Sequence, residues 1–304
     1  MSPPPSSAKP ADGPLEFVKN LLLGGTSGCI AKTLCAPLER VKIVLQTQAA
    51  GAASTQYTSM LDAGRGIARD QGVLGLWNGN LTNCARYFPT QAMNFAFKER
   101  YQKLFIRPRE EVGFAMWFAG FLAAGGAAGA TALTVVYPLE FAYTRLAADT
   151  GTVKQFPGGL PDVLRSIART DGVLGLYRGF APSVAGIIVY RAGYFGFYDA
   201  GKQLLFQDGG KDTSIVLKFG LAMGVDISAA VLAYPLDTVR RRLMMQSGKA
   251  AAEVQYTSAL GCVRHIVRHE GGVLALYKGC FANNVRAVAS ALVLVLYDEI
   301  KKYV

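Results

Sequence analysis

The sequence predicts an all-α membrane protein of six transmembrane helices in three pseudo-threefold repeats. Each repeat adds a short amphipathic surface helix on the inner (matrix-type) side. Three observations predict this. From Val112 to Leu139 no residue is charged, a run longer than the about 20 residues that cross a bilayer. Three times an apolar run ends at a proline followed two residues later by an acid, at Pro37/Glu39, Pro138/Glu140 and Pro235/Asp237. A glycine-bounded signpost recurs every 100 residues, as Gly72-Val-Leu-Gly-Leu-Trp-Asn-Gly79, Gly172-Val-Leu-Gly-Leu-Tyr-Arg-Gly179 and Gly272-Val-Leu-Ala-Leu-Tyr-Lys-Gly279. A period of this kind outranks any local assignment.

In order along the chain, residues 1–14 are rich in Pro, Ser and Ala and read as a disordered tail, with neither the apolar core of a signal peptide nor the arginines of a transit peptide. The repeats follow at 15–111, 112–210 and 211–304. Repeat one begins with an apolar helix from Glu16 to Gln46. Pro37 kinks it, since proline lacks the backbone donor and clashes with the preceding turn. Tyr57 to Asp70 has helical apolar spacing between Arg65 and Arg69 and predicts a helix lying along the membrane surface. After the signpost a second span runs from Thr82 to Ile106. Repeats two and three supply spans near 113–147, 183–206, 213–246 and 279–302. Glycine pairs such as Gly24/Gly28, Gly125/Gly129 and Gly220/Gly224 predict close helix packing.

Charge orients the bundle. Segments 40–79, 143–178 and 240–278 carry +9 of the net +11, which assigns these loops to the inner face and both termini to the other. A basic face also suits nucleic acid, but no domain lies outside the membrane pattern to bind it. The five cysteines (Cys29, Cys35, Cys84, Cys262, Cys280) are odd in number and lie in or beside apolar segments, so neither disulfide nor metal spacing is present. His265, His269 and Glu270 have one-turn spacing, for which a surface amphipathic helix is the better account than a metal site. With two histidines and no nucleophile elbow, nothing supports an enzyme.

An ion inside a membrane is a functional candidate, and ions that break the threefold pattern suit an asymmetric solute. Seven residues after each signpost stand Arg86, Gly186 and Arg286; twelve after stand Gln91, Arg191 and Ala291; five before each proline stand Lys32, Leu133 and Ala230. Lys32, Arg86, Arg191 and Arg286 thus form an asymmetric cationic set near mid-depth, suited to phosphate oxygens. Gly186, Ile187 and Tyr190 offer a slot and an aromatic face where a base fits. Asp226 is the other mid-helix acid available to pair with Arg191 or Lys32.

The repeated proline–acid motif and signpost resemble the mitochondrial carrier family over the whole chain. Arg240-Arg-Arg-Leu-Met-Met245, Arg86-Tyr-Phe-Pro-Thr-Gln-Ala-Met-Asn94, Tyr190-Arg-Ala-Gly-Tyr-Phe-Gly196 and Leu294-Val-Leu-Tyr-Asp-Glu-Ile-Lys-Lys302 are similar to its ADP/ATP-exchanging members. In the signature Arg240, Arg241, Arg242, Leu243, Met244, Met245, Leu243 replaces a usual methionine. The resemblance implies electrogenic exchange of ADP for ATP across the mitochondrial inner membrane, by alternating access around one central site. Lys32, Arg86 and Arg286 match the family's phosphate contacts, Gly186, Ile187 and Tyr190 its adenine pocket, and Asn94 falls in the same substrate set. At the inner gate Glu140 pairs with Arg240 and Asp237 with Lys42, while Glu39 faces Tyr143 where an arginine is usual. Gln46 braces that network. At the outer gate Glu99 pairs with Lys202 and Asp199 with Lys301, leaving Asp298 opposite Gln102.

Cardiolipin is implied at the helix starts near Gly72, Gly79, Gly172, Gly179, Gly272 and Gly279, weakest where Asn78 replaces a base. No cofactor is implied, and a monomer suffices. The rival readings are a carrier of another nucleotide or phosphorylated anion, and a passive proton or anion leak.

Overall fold

The computed structural model describes residues 14–50, 56–151, 153–205 and 215–300. Residues 1–13 of the predicted tail, together with Lys301 and Lys302, lie outside them. Among the described residues there are no strands, and nine helices of eleven residues or more carry the fold. They are α1 (Pro14–Thr47), α2 (Met60–Gln71), α3 (Asn80–Phe105), α4 (Arg109–Ala148), α5 (Leu160–Thr170), α6 (Phe180–Leu205), α7 (Ile215–Met244), α8 (Ala259–His269) and α9 (Cys280–Ile300). Each repeat is a long kinked helix, a short helix and a second long helix. α3 packs on α1 and α4, α6 on α4 and α7, and α9 on α7 and α1, so the six long helices close a circle.

Pro37, Pro138 and Pro235 all lie inside helices, and α4 also breaks at Gly113, where φ is 75°. Beyond the prolines the ends of α1, α4 and α7 converge. Ile43, Tyr143, Ala147, Ala148 and Met245 form a shared apolar plug there with Ala50. The short helices brace this end from outside. Ile67, Ile167 and Ile266, each in the last turns of its helix, are buried against the kinked helix of the same repeat. Each contributes roughly 1.5–3 kcal/mol by leaving water. Two of these helices start on a serine cap: Ser59 accepts from the Asp62 amide at 3.2 Å and Ser258 from the Gly261 amide at 3.0 Å, leaving one fewer orphan donor. Tyr57, expected in the first short helix, precedes it, because the Ser59 cap sets the start.

Apolar side chains cover the outside. Leu74, Leu174 and Leu274, the same signpost position in each repeat, are 85%, 83% and 81% exposed, which suits a lipid-facing surface and not an aqueous one. Among the described residues three helices are long and apolar enough to cross a membrane, at Glu110–Ala148, Gly172–Lys202 and Leu217–Met244, against the six spans expected. α3 is more polar because Asn83, Arg86 and Thr90 serve the interior. Of the predicted packing glycines, Gly28 lies under the Tyr87 ring and Gly129 against Ile187, whereas Gly220 and Gly224 face open space. Those two are corrected: small residues permit close approach, and among the described residues no helix takes it up there.

The signpost glycines at 72, 79, 172, 179, 272 and 279 all have positive φ. Gly179 also sits where a Cβ would stand 2.6 Å from the Arg240 carbonyl oxygen, while Gly72 has nothing within 4 Å. Gly72→Ala therefore costs backbone strain alone, about 1–3 kcal/mol, and Gly179→Ala costs more. Thermal unfolding of both variants in detergent checks this, and equal losses would assign the whole cost to φ.

A second joint links the repeats at Asp171. Its carboxylate accepts from the Ser247 hydroxyl at 2.9 Å and the Gly248 amide at 3.0 Å, and pairs with Arg178 at 3.2 Å. Burial raises its pKa, but the amide, the hydroxyl and the guanidinium outweigh burial and hold it below the ordinary 3.8. A depressed folded-state pKa stabilises above the unfolded value and loses that stabilisation as pH falls through the folded one. Asp171→Asn should thus lower the melting temperature at neutral pH, with the gap to the parent narrowing below about pH 4.

Candidate functional site

The three acids that follow the prolines meet in a ring. Lys42 Nζ of α1 lies 2.8 Å from Asp237 of α7, and Arg240 of α7 lies 2.9 Å from Glu140 of α4. The Tyr143 hydroxyl of α4 donates to Glu39 of α1 at 2.8 Å. Every kinked helix is thereby tied to the other two, in the pairing read from the sequence. The Gln46 amide braces the ring by donating to Asp237 at 3.1 Å and Thr238 at 3.3 Å. Arg241 adds a contact to Asp237 at 3.4 Å and one to Thr144 at 3.2 Å.

One expectation is corrected. Tyr143 does not leave Glu39 without a cation: Arg286 of α9 stands 3.6 Å from it, and Asn83 donates to it at 2.8 Å. Glu140 likewise gains Arg86 of α3 as a second cation. Carboxylates drawn out of water require compensating partners, and the flanking helices reach inward to supply them. Asn83 and Asn283 in turn accept from Arg86 at 2.8 Å and Arg286 at 3.4 Å. The sequence reading missed both asparagines, although position 83 recurs as 183 and 283 with Asn, Ser and Asn.

A second cycle lies at the helix ends and was also missed. Arg40 of α1 donates to the Ala147 carbonyl at 3.2 Å and the Asp149 carbonyl at 2.6 Å, beyond α4. Arg145 of α4 donates to the Met245 carbonyl at 3.3 Å, beyond α7. Arg242 of α7 donates to the Gln46 carbonyl of α1 and makes a forked pair with Glu270 at 2.9 and 2.8 Å. Terminal carbonyls of a helix lack intrahelical partners, and buried arginines satisfy each set from the neighbouring helix. This is what Arg242 of the signature does; Arg240 and Arg241 serve the ring, and Leu243, Met244 and Met245 are buried. Glu270 is thereby committed to Arg242 and not to a metal.

Beside the ring lies a cavity of about 850 Å³, within the roughly 300–1,000 Å³ of small-ligand sites. Arg86, Gly186, Ile187, Tyr190, Arg191 and Arg286 all line it. A smaller chamber of about 210 Å³, lined by Glu39, Glu140, Tyr143 and the arginines, adjoins the ring. Lys32 is held differently, with its ammonium 5.4 Å from the centre of the Tyr87 ring, a cation–π contact. The side chain of Asn94 lies outside the described residues. Asp226 is in the cavity wall, where it accepts from the Tyr190 hydroxyl and does not pair with Arg191 or Lys32.

The opposite end has no such ring among the described residues. Glu99 pairs with Lys103 of its own helix at 2.8 Å, not with Lys202 as expected, because both partners stand in solvent and the nearer lysine, one turn away, wins. Gln102 is half-buried; Asp199 and Lys202 are exposed and make no ion pair with another described residue. The side chain of Asp298, and Lys301, lie outside the described residues. Among the described residues, therefore, the proline end is tied by a ring of pairs and the other end shows only the Glu99–Lys103 pair. All five cysteines are free, and no group of three metal-ligating side chains occurs among the described residues.

The family model described as "Mitochondrial carrier protein" matches this chain three times, at residues 13–109, 115–209 and 211–304. ADP/ATP translocase 3 of Homo sapiens is 50% identical over 297 residues, covering 95% of this chain and 98% of the relative. ADP/ATP translocase 2 of Rattus norvegicus is 50% identical over 299 residues, covering 96% and 99%. The mitochondrial substrate carrier family protein ancA of Dictyostelium discoideum is 50% identical over 291 residues, covering 94% and 93%. With three matches in succession and half its residues shared with full-length relatives, the chain belongs to the mitochondrial carrier family, whose members are transporters and not enzymes.

Proposed function

We propose that this chain exchanges ADP for ATP across the mitochondrial inner membrane by alternating access to the cavity beside the ring. The observation that carries this reading is the double engagement of Arg86 and Arg286. Both line the cavity, and both are held by ring acids, Arg86 by Glu140 and Arg286 by Glu39. Guanidinium forks bind phosphate oxygens well, so a polyphosphate in the cavity competes with those acids for the same arginines. Binding thereby loosens the ring from the cavity side. The printed names of the two translocases support a nucleotide as that polyphosphate. Its base lies along Gly186, where an added Cβ would meet nothing nearer than Leu236 at 3.6 Å, against Ile187 and Tyr190. Lys32, Asn94 and Arg191 complete the substrate set.

When the ring opens, the other end closes: Glu99 leaves Lys103 for Lys202, Asp199 pairs with Lys301, and Asp298 meets Gln102. All six long helices span, the three short helices lie on the matrix face with the +9 segments, and both termini face the intermembrane space. One chain encloses the cavity, so a monomer is sufficient. Cardiolipin fits beside Gly72, Gly172 and Gly272, around which space is open, and at the free amides of helices starting after Gly79, Gly179 and Gly279. No cofactor is required. ATP carries one more negative charge than ADP, so the membrane potential drives exchange at about 2.3 kcal/mol per charge per 100 mV.

Purified protein in liposomes tests this. Labelled ADP should enter only when nucleotide is inside; equal uptake into empty vesicles would mean a leak or a one-way pathway. Arg86→Ala leaves Glu140 paired with Arg240 and should cut exchange about 100-fold or more, with folding followed by melting in parallel. Losing several kcal/mol of charge-assisted contact predicts that scale, and near-parental uptake by the folded variant would remove Arg86 from the site.

Tyr143→Phe keeps the plug packed but takes one donor from Glu39. A hydrogen bond to a charged group is worth about 1.5–3 kcal/mol, so the ring-closed form should fall about tenfold or more against the open one. Spin-label distances between the proline ends of α1 and α4 read this directly, and an unchanged distribution would show that this bond does not set the gate.

A further inference from the structure

Asp226 is a cavity carboxylate that the ring does not use. It sits at mid-length on α7 and takes the Tyr190 hydroxyl on Oδ1. It takes part in none of the ion pairs among the described residues. The nearest basic residue in sequence to Tyr190, Arg191, packs instead against α4, where a Cβ added to Gly125 would meet its guanidinium at 2.6 Å. Tyr190 is one turn along α6 from Gly186 and Ile187, so the acid borders the slot assigned to the base. The cavity wall thus carries Arg86, Arg240 and Arg286 beside the ring, and elsewhere Asp226 among Tyr190, Arg191, Tyr194 and Phe195. An anionic group gains from the first region, and the Asp226 carboxylate in the second offers an acceptor. A ligand with an anionic tail and a donor-bearing ring satisfies both.

An ionised carboxylate only accepts hydrogen bonds. Guanine presents two adjacent N–H donors, its ring imino and its exocyclic amine. Adenine presents one exocyclic amine beside a ring nitrogen that accepts, and purine without the amine presents none. We propose that Asp226 reads the base edge, so that this cavity takes guanine nucleotides alongside adenine nucleotides and rejects purine nucleotides that lack an N–H donor. The proposal rests on the nucleotide-exchange reading of the cavity and names the chemistry by which the base is chosen. A site built to receive a donor discriminates strongly against the analogue lacking it, because its own polar group is left unpaired.

The test uses ADP-loaded liposomes, with ADP, GDP and purine riboside diphosphate as competitors for labelled ADP uptake by the parent and by Asp226→Asn. An asparagine amide presents one donor and one acceptor, which matches adenine and mismatches guanine. In the parent, GDP should compete within about tenfold of ADP and purine riboside diphosphate at least tenfold more weakly than ADP. In Asp226→Asn, GDP should weaken against ADP by a further tenfold or so. An unchanged GDP-to-ADP ratio in the variant, or equal competition by the amine-free nucleotide in the parent, would overturn the assignment while leaving nucleotide exchange standing. Absence of any nucleotide-dependent uptake by the parent would overturn the exchange reading, and this one with it. If Asp226→Asn does not fold, melting shifts of the detergent-purified parent decide: ADP and GDP should each stabilise it more than purine riboside diphosphate, and equal shifts by all three contradict the proposal.

Discussion

The rest of the structure depends on charges that are taken out of water where three kinked helices meet. A carboxylate stripped of water without a partner costs several kcal/mol, and while α7 supplies arginines to its own Asp237, Glu39 and Glu140 depend on partners from other helices. Lys42 needs Asp237, Arg240 needs Glu140, and Glu39 needs Tyr143, Asn83 and Arg286. The ring is satisfied only when all three repeats arrive together. That is a physical reason for threefold repetition, beyond the packing of each short helix on its own kinked helix. The second cycle, of Arg40, Arg145 and Arg242 on terminal carbonyls, holds the same helix ends in register.

A gate of this kind must also open. Its acids therefore share their cations with the cavity, and the sharing is uneven. Glu140 holds Arg86 closely, whereas Arg286 stands 3.6 Å from Glu39. The Tyr143 departure from the usual arginine makes sense in this light. A tyrosine donates one hydrogen bond to Glu39 and leaves the carboxylate's charge to be balanced from α9, so that one arginine serves both gate and cavity. A gate arginine at this position would release Arg286 from that double duty.

Much of this was legible in the sequence because repetition makes function visible. The recurrence of proline, acid and signpost gave the helix order, the ring pairs Glu140–Arg240 and Asp237–Lys42, and the bracing by Gln46. Departures from recurrence pointed to Arg86, Arg286, Gly186 and Tyr190, and all four face one cavity. What stayed hidden involves contacts that no spacing encodes. Arg86 and Arg286 reach the ring acids from α3 and α9, contacts that only tertiary packing sets. Arg40 lies three residues after its proline, whereas Arg145 and Arg242 lie seven after theirs, so the carbonyl-capping cycle breaks the repeat register and escaped a search for symmetry. Asp226 was seen as a possible counter-ion; that Tyr190 claims it follows from the crossing of α6 and α7. The Glu99–Lys202 pair is replaced because proximity in sequence favours Lys103 while both groups are exposed.

The ring is the central claim, and a double-mutant cycle on Lys42 and Asp237 tests it most directly. The two single variants, Lys42→Met and Asp237→Asn, and the double variant would be compared by thermal and chemical unfolding in one detergent. Each single change strands a buried charge or removes its partner, whereas the double change removes both. The account predicts a coupling of at least about 1 kcal/mol, with the double variant less destabilised than the two single losses added together. Losses that add to within about 0.5 kcal/mol would mean that the two groups are neighbours without being partners, and that the proline end is held shut by something other than its charges.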